Sequence, residues 1–154
     1  MLNDKGITAF PEKSSNESGQ NHLLLIAVNE YRRYEPLHNC VSDLEKLRDV
    51  LVRHYEFELE NVKPLFNEKA TRREILKALL TYAPKPDDEE NCLQENQNLF
   101  IVFSGHGFHD KEDGGYYWLT ALQPNAAPDE DDQLAGDELL RYVNKIRETK
   151  SPLS

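Results

Sequence analysis

Cysteine is scarce: Cys40 and Cys92 are the only two in 154 residues. That is too few for a disulfide framework or a zinc cluster, and the expectation is reduced thiols in a cytoplasmic protein with no bound metal. Long apolar runs are missing as well. The longest, Leu23 to Val28, is far short of the roughly 20 residues that a membrane-spanning helix needs. The first twenty residues lack the basic start and apolar centre of a secretion signal. Positive charge is in deficit, with 18 Lys and Arg against 28 Asp and Glu and a net charge of -10. This argues against a domain held on nucleic acid by phosphate contacts. What remains is 38% hydrophobic and 30% charged, enough for one domain with a modest core and too short for a second.

Residues 1–21 are Gly-, Ser-, Asn-, Glu- and Lys-containing without periodicity, and read as a flexible leader. The fold is expected over 22–154. His22 to Val28 is continuously apolar and bounded by Asn29 and Glu30, the pattern of a strand buried on both faces in a parallel sheet. Val41, Leu44, Leu47, Val50 and Leu51 repeat at helical spacing, and Ser42 with Glu45 has the form of a capping box. Val62 to Phe66 reads as a second strand, and Thr71 with Glu74 as a second capping box opening a helix that carries Ile75, Leu76, Leu79 and Leu80. Residues 83–97 form an acidic loop before a third strand, Leu99 to Phe103. Tyr116 to Leu119 is a short strand, and Leu139, Leu140, Val143 and Ile146 mark a last helix. Alternating strands and helices give an α/β sandwich, with helices on both faces of a mostly parallel central sheet.

The third strand runs into Ser104-Gly105-His106-Gly107. This is the C-terminal strand edge, where open α/β sheets place their sites. Flanking glycines remove side-chain bulk and permit unusual backbone angles, so the imidazole is free to meet a substrate. Histidine titrates near neutrality and suits proton transfer to or from a reacting group. The same residue also reads as a plain loop histidine in a glycine-rich turn.

Five segments occur in order: Leu24 to Tyr31, Leu37 to Asp43, Ala70 to Ile75, Phe103 to Gly107, and Gly115 to Leu119. Together they resemble the caspase-like cysteine peptidases, with metacaspases and their bacterial relatives nearer than the animal caspases. The resemblance spans roughly 22–150 and implies that His106 is the histidine of a Cys-His dyad, supported by Gly105 and Gly107 at the turn and oxyanion position. The thiolate would attack the peptide carbonyl and the histidine would protonate the departing amine. In caspase-type enzymes the nucleophile lies about 50 residues beyond the histidine, and 48 residues follow His106 here. The expectation is therefore a caspase-like domain incomplete at its C-terminal end and inactive alone. Cys40, before a helix, reads as a small packed residue, and Cys92, in the acidic loop, as an exposed bystander.

The resemblance further implies that Asp43 lines a pocket for Arg or Lys on the substrate, where a carboxylate pairs a cation and rejects an acid. An Asp in a first helical turn also serves the helix dipole with no substrate at all. Twelve of the 28 acidic residues fall in the loops around 87–95, 110–113 and 129–132. They read as solvating loops or as a field that draws basic segments. No cofactor is expected. Some metacaspases respond to calcium, though this carboxylate spacing is not an EF-hand. Tyr31, Tyr34, Tyr116, Tyr117 and Trp118 are expected to pack around the sheet ends with hydroxyl or indole groups reaching water. Arg32 and Arg33 stand near the place where animal caspases hold an arginine, a role that the metacaspase-like pattern does not carry over. Two functions follow. One is an endopeptidase domain cleaving after Arg or Lys, with peptide or protein partners and a complementary segment that carries the nucleophile. The other is a non-catalytic interaction module on the same scaffold.

Overall fold

The computed structural model describes residues 21–88, 92–123, 125–127 and 131–147. The expected leader thus lies, apart from Asn21, outside the described residues. The central strand β1 (Asn21–Ala27) pairs in parallel with β2 (Phe57–Phe66) on one side and β3 (Asn98–Ser104) on the other. Every side chain from Leu23 to Val28 is fully buried, and successive residues serve opposite faces. Leu23, Leu25 and Ala27 pack with Leu44 of α1 (Cys40–His54), whereas Leu24, Ile26 and Val28 pack with Ile75 and Leu79 of α2 (Arg72–Leu80) and Ile146 of α3 (Gly136–Arg147). Helices on both sheet faces are the reason that the strand is apolar without alternation.

Pro64 sits in β2, an edge strand, where its missing N–H costs no ladder bond on the outer side. The capping box at Thr71 is half realised: the Thr71 Oγ1 accepts from the Glu74 N–H at 3.2 Å, a cap worth about 1 kcal/mol. The capping box at Ser42 is not formed. The helix begins three residues earlier with Asn39 at its N-cap, and the Ser42 hydroxyl, already inside the first turn, donates to the Asn39 carbonyl. The second strand is also longer than expected, starting at Phe57 rather than Val62.

A second, antiparallel sheet holds β4 (Gly107–His109), β5 (Tyr116–Leu119) and β6 (Gln133–Ala135) in the order β4-β5-β6. Only β5 is legible in the sequence, because three-residue strands are too short to show a period. Among the described residues β3 pairs only with β1. Beside its other edge, Leu99, Ile101, Val143 and Ile146 line an apolar hollow of about 350 Å³, and Phe100 is half exposed. No helix among the described residues is long and apolar enough to cross a membrane.

Candidate functional site

The carboxyl ends of β1 and β3 lie side by side, joined where the Val28 N–H donates to the Ser104 carbonyl at 3.0 Å. Two loops leave this edge together. One is the segment from Val28 to Asn39, and the other is Gly105-His106-Gly107.

His106 is held at three points. Its backbone N–H donates to the Tyr31 hydroxyl at 2.8 Å, its carbonyl accepts from the Leu119 N–H at 2.9 Å, and its Nε2 lies 2.8 Å from the Glu35 carbonyl oxygen. A carbonyl can only accept, so Nε2 carries the proton and the lone pair of the neutral ring sits on Nδ1. A base so arranged takes a proton at Nδ1, and the carbonyl dipole then stabilises the imidazolium that forms. The ring is half-buried and opens on a hollow of about 610 Å³, lined also by Arg32, Arg33, Tyr34, Glu35 and Leu119.

The first loop is pinned from several sides. Asn67 adopts a left-handed φ of 48°, which Asn tolerates better than most residues. Its Oδ1 accepts from the N–H groups of Asn29 at 2.8 Å and Glu30 at 3.3 Å. The Asn29 Oδ1 in turn accepts from the Val41 N–H at the start of α1, and the Leu37 N–H closes back on the Asn29 carbonyl. Farther along, the Arg32 Nη1 donates to the Gln123 carbonyl at 2.9 Å, and Arg33 pairs with Asp132 at 3.2 Å. Asp132 is buried, so this member of the acidic loops is a structural anchor rather than a solvating charge.

The glycines beside His106 act by their size. A Cβ on Gly105 would lie 2.5 Å from the Tyr31 hydroxyl and 2.9 Å from the Phe103 ring tip, and one on Gly107 would lie 3.2 Å from the Tyr117 carbonyl. The unusual backbone angles expected there are not used. Among the described glycines only Gly114, in the hairpin between β4 and β5, has a left-handed φ.

Tyr31 departs from the expectation that its hydroxyl reaches water. The hydroxyl accepts from the His106 N–H and donates to the Leu119 carbonyl at 3.2 Å, and the ring stands 4.8 Å from the His106 ring. Burial pushes its pKa up to about 12, so it stays protonated, as that donation requires. Trp118 stacks flat on Phe103 at 4.4 Å, and Tyr116 is exposed against His109.

Asp43 lies in the first turn of α1, largely exposed and 3.5 Å from Lys46. It shares the sheet edge with His106 but does not line the hollow around it. Cys40 begins α1 and packs half-buried against the core. Cys92 is also half-buried rather than exposed, with the Gln94 side-chain amide against its carbonyl and sulfur. Among the described residues no group of three His, Cys, Asp or Glu side chains converges as a metal site. Nothing in the residue types marks Glu35, because it acts through a carbonyl and every residue has one.

A sequence model of the caspase domain matches residues 20–144. The chain is 36% identical over 103 residues to metacaspase-1 of Plasmodium falciparum, covering 60% of this chain and 15% of that protein. It is 32% identical over 128 residues to metacaspase-6 of Arabidopsis thaliana, covering 80% and 33%, and 30% identical over 115 residues to metacaspase-1A of Neurospora crassa, covering 66% and 23%. It thus spans no more than about a third of the length of these relatives. The parallel sheet with helices on both faces, the Ser-Gly-His-Gly turn at its carboxyl edge and a match over most of the sequence agree, and the chain belongs to the caspase domain family.

Proposed function

We propose that these residues form the histidine-bearing part of a caspase-type cysteine endopeptidase that cleaves after Arg or Lys. The observation that carries the reading is the Nε2 contact to the Glu35 carbonyl, which leaves Nδ1 of His106 as the ring nitrogen able to accept a proton. In the proposed reaction a thiol gives its proton to Nδ1, and the thiolate adds to the peptide carbonyl. The tetrahedral oxyanion collapses as the imidazolium protonates the leaving amine, and water then hydrolyses the thioester. Gly105 and Gly107 keep the turn close to Tyr31 and Tyr117, and in this reading the oxyanion is taken up at this turn.

Neither Cys40 nor Cys92 is the nucleophile in this reading. It comes on a complementary segment outside these 154 residues, and without that segment the domain is inactive. The edge of β3 that is unpaired among the described residues, and the apolar hollow beside it, offer such a segment a place to add as a parallel strand. Asp43 selects a cationic side chain, and the two thiols, neither in a disulfide, suit a reducing cytoplasm.

The test supplies the complementary segment and assays reporter peptides ending in Arg, Lys, Asp or Leu. Turnover of the Arg and Lys reporters supports the proposal, and persistent inactivity sinks it in favour of a non-catalytic module. In the active form, Asp43→Ala is expected to raise KM for Arg and Lys reporters by about tenfold or more, the loss of one charge-assisted contact. An unchanged preference removes Asp43 from the pocket.

A further inference from the structure

The register of the second sheet sets Gly107 opposite Trp118, so the next rung outward sets His106 opposite Leu119. Half of that rung is ordinary, because the Leu119 N–H donates to the His106 carbonyl at 2.9 Å. The return bond, from the His106 N–H to the Leu119 carbonyl, is not made directly. The Tyr31 hydroxyl stands between the two groups, 2.8 Å from the nitrogen and 3.2 Å from the oxygen.

A hydroxyl is suited to this place, since it accepts and donates at one atom. Phe offers the ring without the bridge, and Ser or Thr offers the bridge without the reach. Room for it is made by Gly105, where a Cβ would come within 2.5 Å of the hydroxyl oxygen. Burial keeps the phenol protonated, so the bridge persists across the neutral range.

We propose that Tyr31 is a positioning residue for His106: its hydroxyl, built into the last rung between His106 and Leu119, sets the backbone of the histidine, while Glu35 of the same loop sets its ring. Tyr31 and Glu35 are four residues apart and grip His106 from opposite ends, one at the backbone N–H and one at Nε2. With the hydroxyl gone, the rung is open on one side and the histidine is free to turn away from the Glu35 carbonyl. The ring then loses its single tautomer, and Nδ1 is no longer held as the acceptor. The structural half of this inference stands on the geometry alone. The catalytic half rests on His106 acting as proposed above.

The experiment is Tyr31→Phe in the full chain, read by NMR at His106. In the unsubstituted protein the Tyr31 hydroxyl proton is expected to show a cross-relaxation peak to the His106 amide proton, and the imidazole nitrogens to report the Nε2–H form. In the variant the His106 amide is expected to exchange at least about tenfold faster, the loss of one net hydrogen bond, and the imidazole nitrogens to move toward averaged tautomers. Amides of β1 serve as the control for global unfolding. In the enzyme completed by the nucleophile segment, kcat is expected to fall by about tenfold with KM within twofold.

Unchanged exchange and tautomer at His106 in the variant overturn the proposal, whatever the activity. Absence of the hydroxyl-to-amide peak in the unsubstituted protein overturns it even where the variant fails to fold. A shifted tautomer in a protein that cleaves no peptide upholds the positioning role and counts against the peptidase reading, so the two failures are separable.

Discussion

Replacement of His106 by alanine in the completed enzyme is expected to lower kcat/KM on Arg and Lys reporters by about 10²–10⁴-fold, the range for loss of a positioned acid-base group. The fold should hardly notice, because the ring is half-buried at a sheet edge and its removal opens no closed cavity. A change of no more than about 1 kcal/mol in unfolding free energy is expected. His106→Gln is the sharper variant. Its side-chain amide can still donate toward the Glu35 carbonyl, but it offers no basic nitrogen in place of Nδ1. Equal loss in both variants assigns the effect to proton transfer. A His106→Gln enzyme that keeps more than a tenth of its activity would remove His106 from the chemistry.

The largest effect on stability is expected at the centre of the parallel sheet. Ile26 is fully buried, lies opposite Leu65 of β2 and Phe103 of β3, and packs into the cluster formed with α2 and α3. Ile26→Ala removes three heavy atoms where the sheet meets α2 and α3, and a loss of about 2–5 kcal/mol is expected. Against a usual total of about 5–15 kcal/mol, that is a large share. Leu59→Ala is the control, since Leu59 is mostly exposed in the edge strand β2. Urea unfolding of the full chain should show a lower midpoint for Ile26→Ala at unchanged slope and little movement for Leu59→Ala. A cost below about 1 kcal/mol at Ile26 would mean that the sheet is not packed as described.

Some of these features are legible in the sequence and others are not. The strand from His22 to Val28 was readable because burial on both faces leaves a continuous apolar run. Thr71 was readable because a cap is a local interaction, spelled within four residues. Ser42 misleads because α1 starts at Cys40 with no side-chain cap, and its Val41 N–H is taken by the Asn29 side chain twelve residues away. Strands β4 and β6 were silent because three residues are too few for a period. At the candidate site His106 was visible as a residue type, whereas its partners were not. Tyr31 is 75 residues distant in sequence and bonds through the backbone of His106, and Glu35 contributes an atom that its identity does not specify.

That last point reaches beyond the geometry. A hydrogen-bond partner made of peptide backbone has no allele. Scanning side chains at position 35 leaves the carbonyl in place and would score Glu35 as dispensable. The vulnerable quantity is the spacing between Asn29, where the loop is tied to Asn67, and Leu37, where it closes on itself. Pro36 belongs to that quantity too, since a proline restricts the residue before it to extended backbone and so constrains where the Glu35 carbonyl points. Heritable loss of the Nε2 contact made by this loop would therefore come from codons gained, codons deleted or Pro36 replaced, and homologues should diverge freely in what stands at 35 while agreeing on how far it stands from the strand.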